Sequence, residues 1–184
     1  MSDERERVLQ HLLDHSVRRG DFVLKSGRMS SWFIDSKKTI CEPVVMTDLA
    51  TLMLAKIPAD ATAIGGLTMG ADGAAFITAG IAATRGRSLR GFSVRKEVKD
   101  HGAGGRIAGA LEAGDRVVIT EDTVTRGTSL LEAAHVVQEF GATVVLLLAV
   151  VDRGGTVTDM AKKEGLTFDA LFSAPDLGFP YEGA

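Results

Sequence analysis

Two adjacent carboxylates, Glu121 and Asp122, close an apolar run that begins at Arg116. Thr123, Val124, Thr125, Arg126, Gly127, Thr128 and Ser129 follow, ahead of a helical pattern. A strand that delivers this loop to the head of a helix places it among backbone N–H groups without helical partners, where the dipole also favours an anion. Thr125, Thr128 and Ser129 add hydroxyl donors, and Gly127 lets the backbone come close. The loop therefore suits a phosphate monoester. Carboxylates would repel that phosphate unless they serve another group, and vicinal sugar hydroxyls are natural donors to such a pair. Acids for hydroxyls beside donors for phosphate describe a ribose 5-phosphate site. The same residues also read as a solvated strand end followed by a capped helix.

A second segment, 93–106, gathers Arg95, Lys96, Lys99, His101 and Arg106 around Gly102, Gly104 and Gly105. Its cations answer a strongly charged anion such as pyrophosphate, and its glycines allow opening and closing, which together describe a catalytic lid. An exposed hairpin with a solvated run of charges is the other reading. Two competing phosphate motifs fail. The chain has no G-x-x-x-x-G-K-[ST], and the glycines at 102, 104 and 105 precede a strand instead of following one.

These segments need a scaffold. Apolar Val8, Leu9, Leu12, Leu13 and Val17 recur at helical spacing, which predicts a helix over 4–17 ending near Gly20. Short extended runs at 22–24 and 31–35 flank a basic turn, Lys25-Ser26-Gly27-Arg28. Pro43 opens a helix through Lys56, with a short strand near Ala63 after it. A glycine-rich turn over 65–73 leads into an alanine-rich helix to about Thr84. Strands are expected at 88–94, 106–111, 116–120 and 143–151, with a helix over 128–140. The run 144–151 is apolar on both faces, as in a parallel sheet covered on both sides. Alternating strands and helices predict an α/β fold. Residues 173–184 read as an irregular tail.

The chain has 184 residues, 45% apolar and 24% charged, with a net charge of −3. That size suits one domain with its own core and excludes disordered and fibrous classes. The near-neutral balance gives no pull toward nucleic acid or an anionic membrane, so any anion must be held by local cations. A single cysteine, Cys41, excludes an intramolecular disulfide and points to the cytoplasm. The charged start, 1–7, lacks the apolar core of a signal peptide, and no apolar run approaches the roughly 20 residues that span a bilayer.

Residues 121–129 resemble the phosphoribosyl-diphosphate signature of type I phosphoribosyltransferases. The order Arg95-Lys96-Glu97-Val98-Lys99-Asp100-His101-Gly102 is similar to the loop of the orotate phosphoribosyltransferases. Three further matches extend the resemblance over nearly the whole chain. Residues 22–30 are similar to the family's N-terminal Lys-Ser-Gly-Arg-x-Ser element, 65–72 stand in the place of its pyrophosphate loop, and 150–153 resemble a strand end whose arginine contacts orotate. By its residues alone, Arg153 could instead pair with Asp152. The chain departs from many members in having Glu121 before Asp122 instead of two aspartates, and in having no lysine in the 65–73 loop.

The resemblance implies a mainly parallel central sheet flanked by helices, a small hood over 1–40, a β-hairpin lid over 93–106, and a homodimer. Lys25 would stand near the diphosphate. Arg95, Lys99 and His101 would act on the partner's site and Lys96 on its own, with Asp122 also catalytic. The phosphoribosyl diphosphate would be held by these cations and by Glu121, Asp122, Thr123, Val124, Thr125, Arg126, Gly127, Thr128 and Ser129. Orotate would meet Phe33, Ile34, Thr125 and Arg153. Mg²⁺ would be carried mainly by the substrate, with Glu121 and Asp122 nearby and no direct protein ligand. The partners implied are small molecules, with no nucleic acid and no membrane. A transferase for uracil or a purine would use the same cradle, but Lys25, Arg28 and Arg153 favour a base that carries a carboxylate. A non-catalytic sensor of the sugar diphosphate would need a basic face, which the net charge of −3 does not supply.

Overall fold

A computed structural model describes residues 2–23, 27, 29–99 and 105–183, with backbone only at 98 and 99. Helix α1 (Asp3–His11) opens at Ser2, whose side chain accepts from the Arg5 N–H, and carries Asp3, Glu4 and Glu6 in its first turn. The helix does not continue to Val17. A π-helical turn over Leu12–Ser16 follows, and β1 (Val17–Val23) begins at once. Pairing of Val17 with Ile34 of β2 (Met29–Ile34) takes Val17 out of the helical pattern. Ser16 is held at the junction, with 2.7 Å between its Oγ and that of Thr39. Alternation along β2 turns Trp32 and Ile34 into the core and leaves Phe33 40% exposed.

A short α2 (Lys37–Ile40) leads into α3 (Pro43–Lys56), where Val45, Leu49, Ala50 and Met53 form the buried face. The remaining elements are β3 (Ala63–Leu67), α4 (Asp72–Thr84), β4 (Arg90–Lys99), β5 (Gly105–Gly109), β6 (Arg116–Val124), α5 (Thr128–Glu139), β7 (Thr143–Asp152), α6 (Val157–Lys163) and β8 (Phe168–Ser173). Six strands form one sheet in the order β5-β4-β3-β6-β7-β8, parallel except for the β4/β5 hairpin. Helices α1, α3 and α4 pack on one face through Val8, Leu49 and Ala74. Helices α5 and α6 pack on the other through Leu130, Val137 and Val157. Strand β7 is covered on both sides, with Leu146 and Leu148 in the first core and Leu147 and Ala149 in the second.

The structure changes three further expectations. Gly65 and Gly66 lie inside β3, where a Cβ would meet the Phe92 and Thr120 carbonyl oxygens at 2.3 Å and 2.2 Å. They serve close strand contact, and the turn itself is confined to 68–71. Strand β6 runs on to Val124, so Glu121 and Asp122 stand inside the strand and do not end it. Residues 157–163 and 168–173 form α6 and β8, and the expected tail carries a 3-10 turn at Pro175–Leu177. Among the described residues no helix is long and apolar enough to cross a membrane.

Candidate active site

The carboxyl ends of β3, β4 and β6 surround a cleft of about 220 Å³, the side of a parallel sheet where ligands usually bind. Leu67, Thr68, Met69 and Gly70 line it from β3 and its turn, Lys96 from β4, and Glu121, Asp122, Thr123 and Ser129 from β6 and α5. Glu121 and Asp122 are each only 7% exposed. Asp122 forms an ion pair with Lys37, and its Oδ2 also accepts from Ser36 Oγ at 2.9 Å. Its Oδ1 accepts from the Thr123 N–H at 2.8 Å. Burial, and then the adjacent Asp122 charge, push the Glu121 carboxyl up to about 8. Glu121 thus holds its proton at neutral pH, beside the ion pair of Lys37 and Asp122.

The turn after β3 closes directly over these acids. A Cβ on Gly70 would lie 1.8 Å from Glu121 Oε1 and 3.0 Å from Asp122 Oδ1, so any side chain there would displace the pair. Asp72 braces the turn, accepting from Thr68 Oγ1 at 2.6 Å and from Ser93 Oγ of β4 at 2.7 Å.

The loop from β6 to α5 turns at Gly127, whose φ of 73° is left-handed. A Cβ there would also meet Met160 Cε at 2.3 Å. Helix α5 has no side-chain cap, which leaves its first N–H groups to an outside acceptor. Thr123 and Ser129 face the cleft, Arg126 and Thr128 are exposed, and Val124 is a core residue. The Thr125 carbonyl oxygen accepts from Thr156 Oγ1 at 3.1 Å, and the Arg153 N–H donates to the Val124 carbonyl oxygen at 2.8 Å. Arg153 therefore stands beside the loop, although it does not line the cleft.

Strand alternation separates the adjacent cations Arg95 and Lys96 of β4. Lys96 lines the cleft, whereas Arg95 turns its guanidinium to the Gly105 and Ile107 carbonyl oxygens of β5 at 3.3 Å and 3.2 Å. The side chain of Lys99, together with Lys25, Arg28, His101, Gly102 and Gly104, lies outside the described residues. Ile34 is packed in the core, so only its neighbour Phe33 offers a side chain outward. Arg153 does not pair with Asp152, which accepts instead from the Gly154 and Gly155 N–H groups at 2.9 Å and 3.0 Å. Its partner is Glu182, at 2.5 Å. Sequence reasoning missed Ser36, Lys37 and Glu182, and had Asp72 only as the last residue of the 65–72 match. Lys37-Lys38, shortly after Phe33-Ile34, was the one available signal, and nothing local marks Glu182.

No family model matches the chain. It is 33% identical over 183 residues to the orotate phosphoribosyltransferase of a Nostoc species, covering 99% of this chain and 89% of that protein. It is 38% identical over 180 residues to the orotate phosphoribosyltransferase of Bradyrhizobium diazoefficiens, covering 95% and 96%. Among solved structures, the orotate phosphoribosyltransferase of Mycobacterium tuberculosis in complex with Fe(III) dicitrate superposes with a TM-score of 0.83 at 34% identity, covering 96% of this chain and 99% of that one. A structure of the same protein in complex with 5-phospho-α-D-ribosyl 1-diphosphate superposes at 0.78, with 32% identity over the same shares.

Proposed function

Because the chain belongs to the orotate phosphoribosyltransferase family, a family of pyrimidine biosynthesis, we propose that its cleft transfers phosphoribosyl from 5-phosphoribosyl 1-diphosphate to N1 of orotate. The products are orotidine 5′-phosphate and diphosphate. The observation that carries this reading is the joining of a buried acid pair, Lys96 and the uncapped head of α5 around one cleft. Such a site grips both ends of a sugar carrying a phosphate and a diphosphate.

The 5-phosphate accepts from the first N–H groups of α5 and from the hydroxyls of the 123–129 loop, while Asp122 and Glu121 meet the ribose hydroxyls. As the anomeric bond breaks, that carbon gains oxocarbenium character and charge builds on the departing diphosphate. Lys96 answers that charge from its own subunit, and Arg95, Lys99 and His101 answer it from the partner's lid, excluding water as they arrive. Lys25 adds a further cation. Phe33 and the 125 and 153 positions receive the base, whose N1 ionises readily enough to need no strong protein base.

The donor set fits Mg²⁺ carried mainly by substrate oxygens. Glu121 and Asp122 supply hard oxygens beside the cleft, and among the described residues no group of His, Cys, Asp or Glu could hold a metal by itself. When bound, the ion lowers the charge on the diphosphate oxygens. Arg95 turned away from its own cleft supports a homodimer in which lids are exchanged. The lone, unpaired Cys41 agrees with a cytoplasmic enzyme.

The test is turnover of orotate with the sugar diphosphate and Mg²⁺, followed by loss of orotate absorbance, beside parallel reactions with uracil and hypoxanthine. Turnover of orotate alone is expected. Turnover of either other base without orotate would reassign the substrate.

A further inference from the structure

Residues 179–183 reach the proposed base site and take hold of Arg153. The Phe179 ring stacks on Trp32 with centroids 4.4 Å apart and an interplanar angle of 5°. The Glu182 N–H donates to the Arg153 carbonyl oxygen at 2.8 Å, and the Gly183 N–H donates to that of Gly154 at 3.1 Å. These bonds dock the segment along the 153–155 loop. The Glu182 carboxylate then accepts from Arg153 Nη2 at 2.5 Å and, through its other oxygen, from the Ser30 hydroxyl. The guanidinium lies 4.3 Å above the Trp32 ring, and Arg153 is only 7% exposed.

A guanidinium this buried needs a counter-charge, or it leaves for solvent. Glu182 supplies it, and with Trp32 below and Ser30 fixing the carboxylate, the head group has one position. The pair is neutral overall, so Arg153 exerts little net Coulomb attraction on a substrate carboxylate. It offers directed N–H donors instead, and its Nε is buried with no hydrogen-bond partner among the described residues.

We propose that Glu182 is a positioning residue of the base site, which holds the Arg153 guanidinium on Trp32 so that the base is recognised by oriented hydrogen bonds and not by net charge. The proposal rests on the reading of the cleft as a base phosphoribosyltransferase site with Arg153 at the base. It extends the site to a segment 29 residues beyond Arg153 in the chain.

The experiment uses the full chain carrying Glu182→Gln, Glu182→Ala or Glu182→Asp. KM for the base and for the sugar diphosphate are measured separately, and folding is checked by thermal melting. Trp32 is the only tryptophan, so its emission reports the guanidinium above it, and an orotate titration followed by that emission measures affinity without turnover. The expected result is a KM and Kd for orotate raised roughly tenfold by Glu182→Gln, with KM for the sugar diphosphate within about twofold of wild type. Glu182→Asp should recover part of the loss, and Trp32 emission should change in the Gln and Ala variants. If Glu182 merely competed with the substrate carboxylate, removing it would lower KM for orotate, and that result, or an unchanged KM in a folded Gln variant, would overturn the proposal. Wild-type turnover of orotate tests the activity separately. Were another base the substrate, its KM in the same variants would decide the role of Glu182.

Discussion

The ammonium of Lys37 is ion-paired with the carboxylate of Asp122, 85 residues further along the chain. Burial pulls the Lys37 pKa down, but the hydrogen bond and charge of Asp122, with Glu121 and Asp35 behind them, outweigh it and the net shift is upward. The lysine comes from the short helix after the β1/β2 ribbon, the acid from the central sheet. The pair therefore ties that helix to the central sheet beside the cleft.

Replacing Lys37 with methionine leaves Asp122 beside Glu121 with no compensating ammonium. A charge-assisted bond of this kind is worth about 1.5 kcal/mol where one partner is half-exposed, so kcat/KM for the sugar diphosphate should fall about tenfold. Lys37→Arg should keep most of it. Steady-state kinetics at saturating orotate would show both effects.

The acid pair also sets a pH dependence. Glu121 has a folded pKa of about 8 against an ordinary 4.5, so between those values the folded chain holds a proton that the unfolded chain has released. Stability contributed at low pH is lost as pH rises through that window. Glu121→Gln removes the titration. The melting temperature of the variant relative to wild type should climb by roughly 5–10 °C between about pH 5 and about pH 9. A gap that stays constant with pH would mean that Glu121 is not the group that titrates.

Gly127→Ala should destabilise the fold through the β6–α5 loop. The substitution meets a φ of 73° and two close neighbours, Met160 Cε at 2.3 Å and Val157 Cγ1 at 2.9 Å. Left-handed strain and overpacking together predict a loss of about 2–4 kcal/mol, measurable by urea unfolding.

Lid exchange has its own signature. Lys99→Ala and Asp122→Ala subunits should each be nearly inactive alone, while a mixture allowed to exchange should recover part of the activity, because one of its two sites in a mixed dimer carries neither change. Mass spectrometry of the mixture would verify exchange, and no recovery despite it would argue against a shared site.

Much of the scaffold is legible along the chain because its signals are local. Pro43 at a first helical turn and the repeated apolar residues behind it placed α3 at its observed limits. The two-sided apolar run of β7 announced a strand covered on both faces. Val17 shows where local reading stops, since its helical spacing was overruled by pairing with Ile34. Gly65 and Gly66 show it again, because a glycine required by a neighbouring strand and one required by a turn look alike in sequence.

By itself the sequence determined the chemistry that adjacent residues can carry: an acid pair ahead of a helix start, a run of cations among glycines, and an alternating order of strands and helices. Backbone direction and side-chain type over ten or so residues are enough for that. The partners of those groups were decided only by the tertiary structure. Lys37 reaches Asp122, Glu182 reaches Arg153, and Arg95 faces away from the cleft that Lys96 lines, because packing brings distant segments together with no local periodicity to record it. Burial, which pushes the Glu121 carboxyl up, belongs to that same folded arrangement.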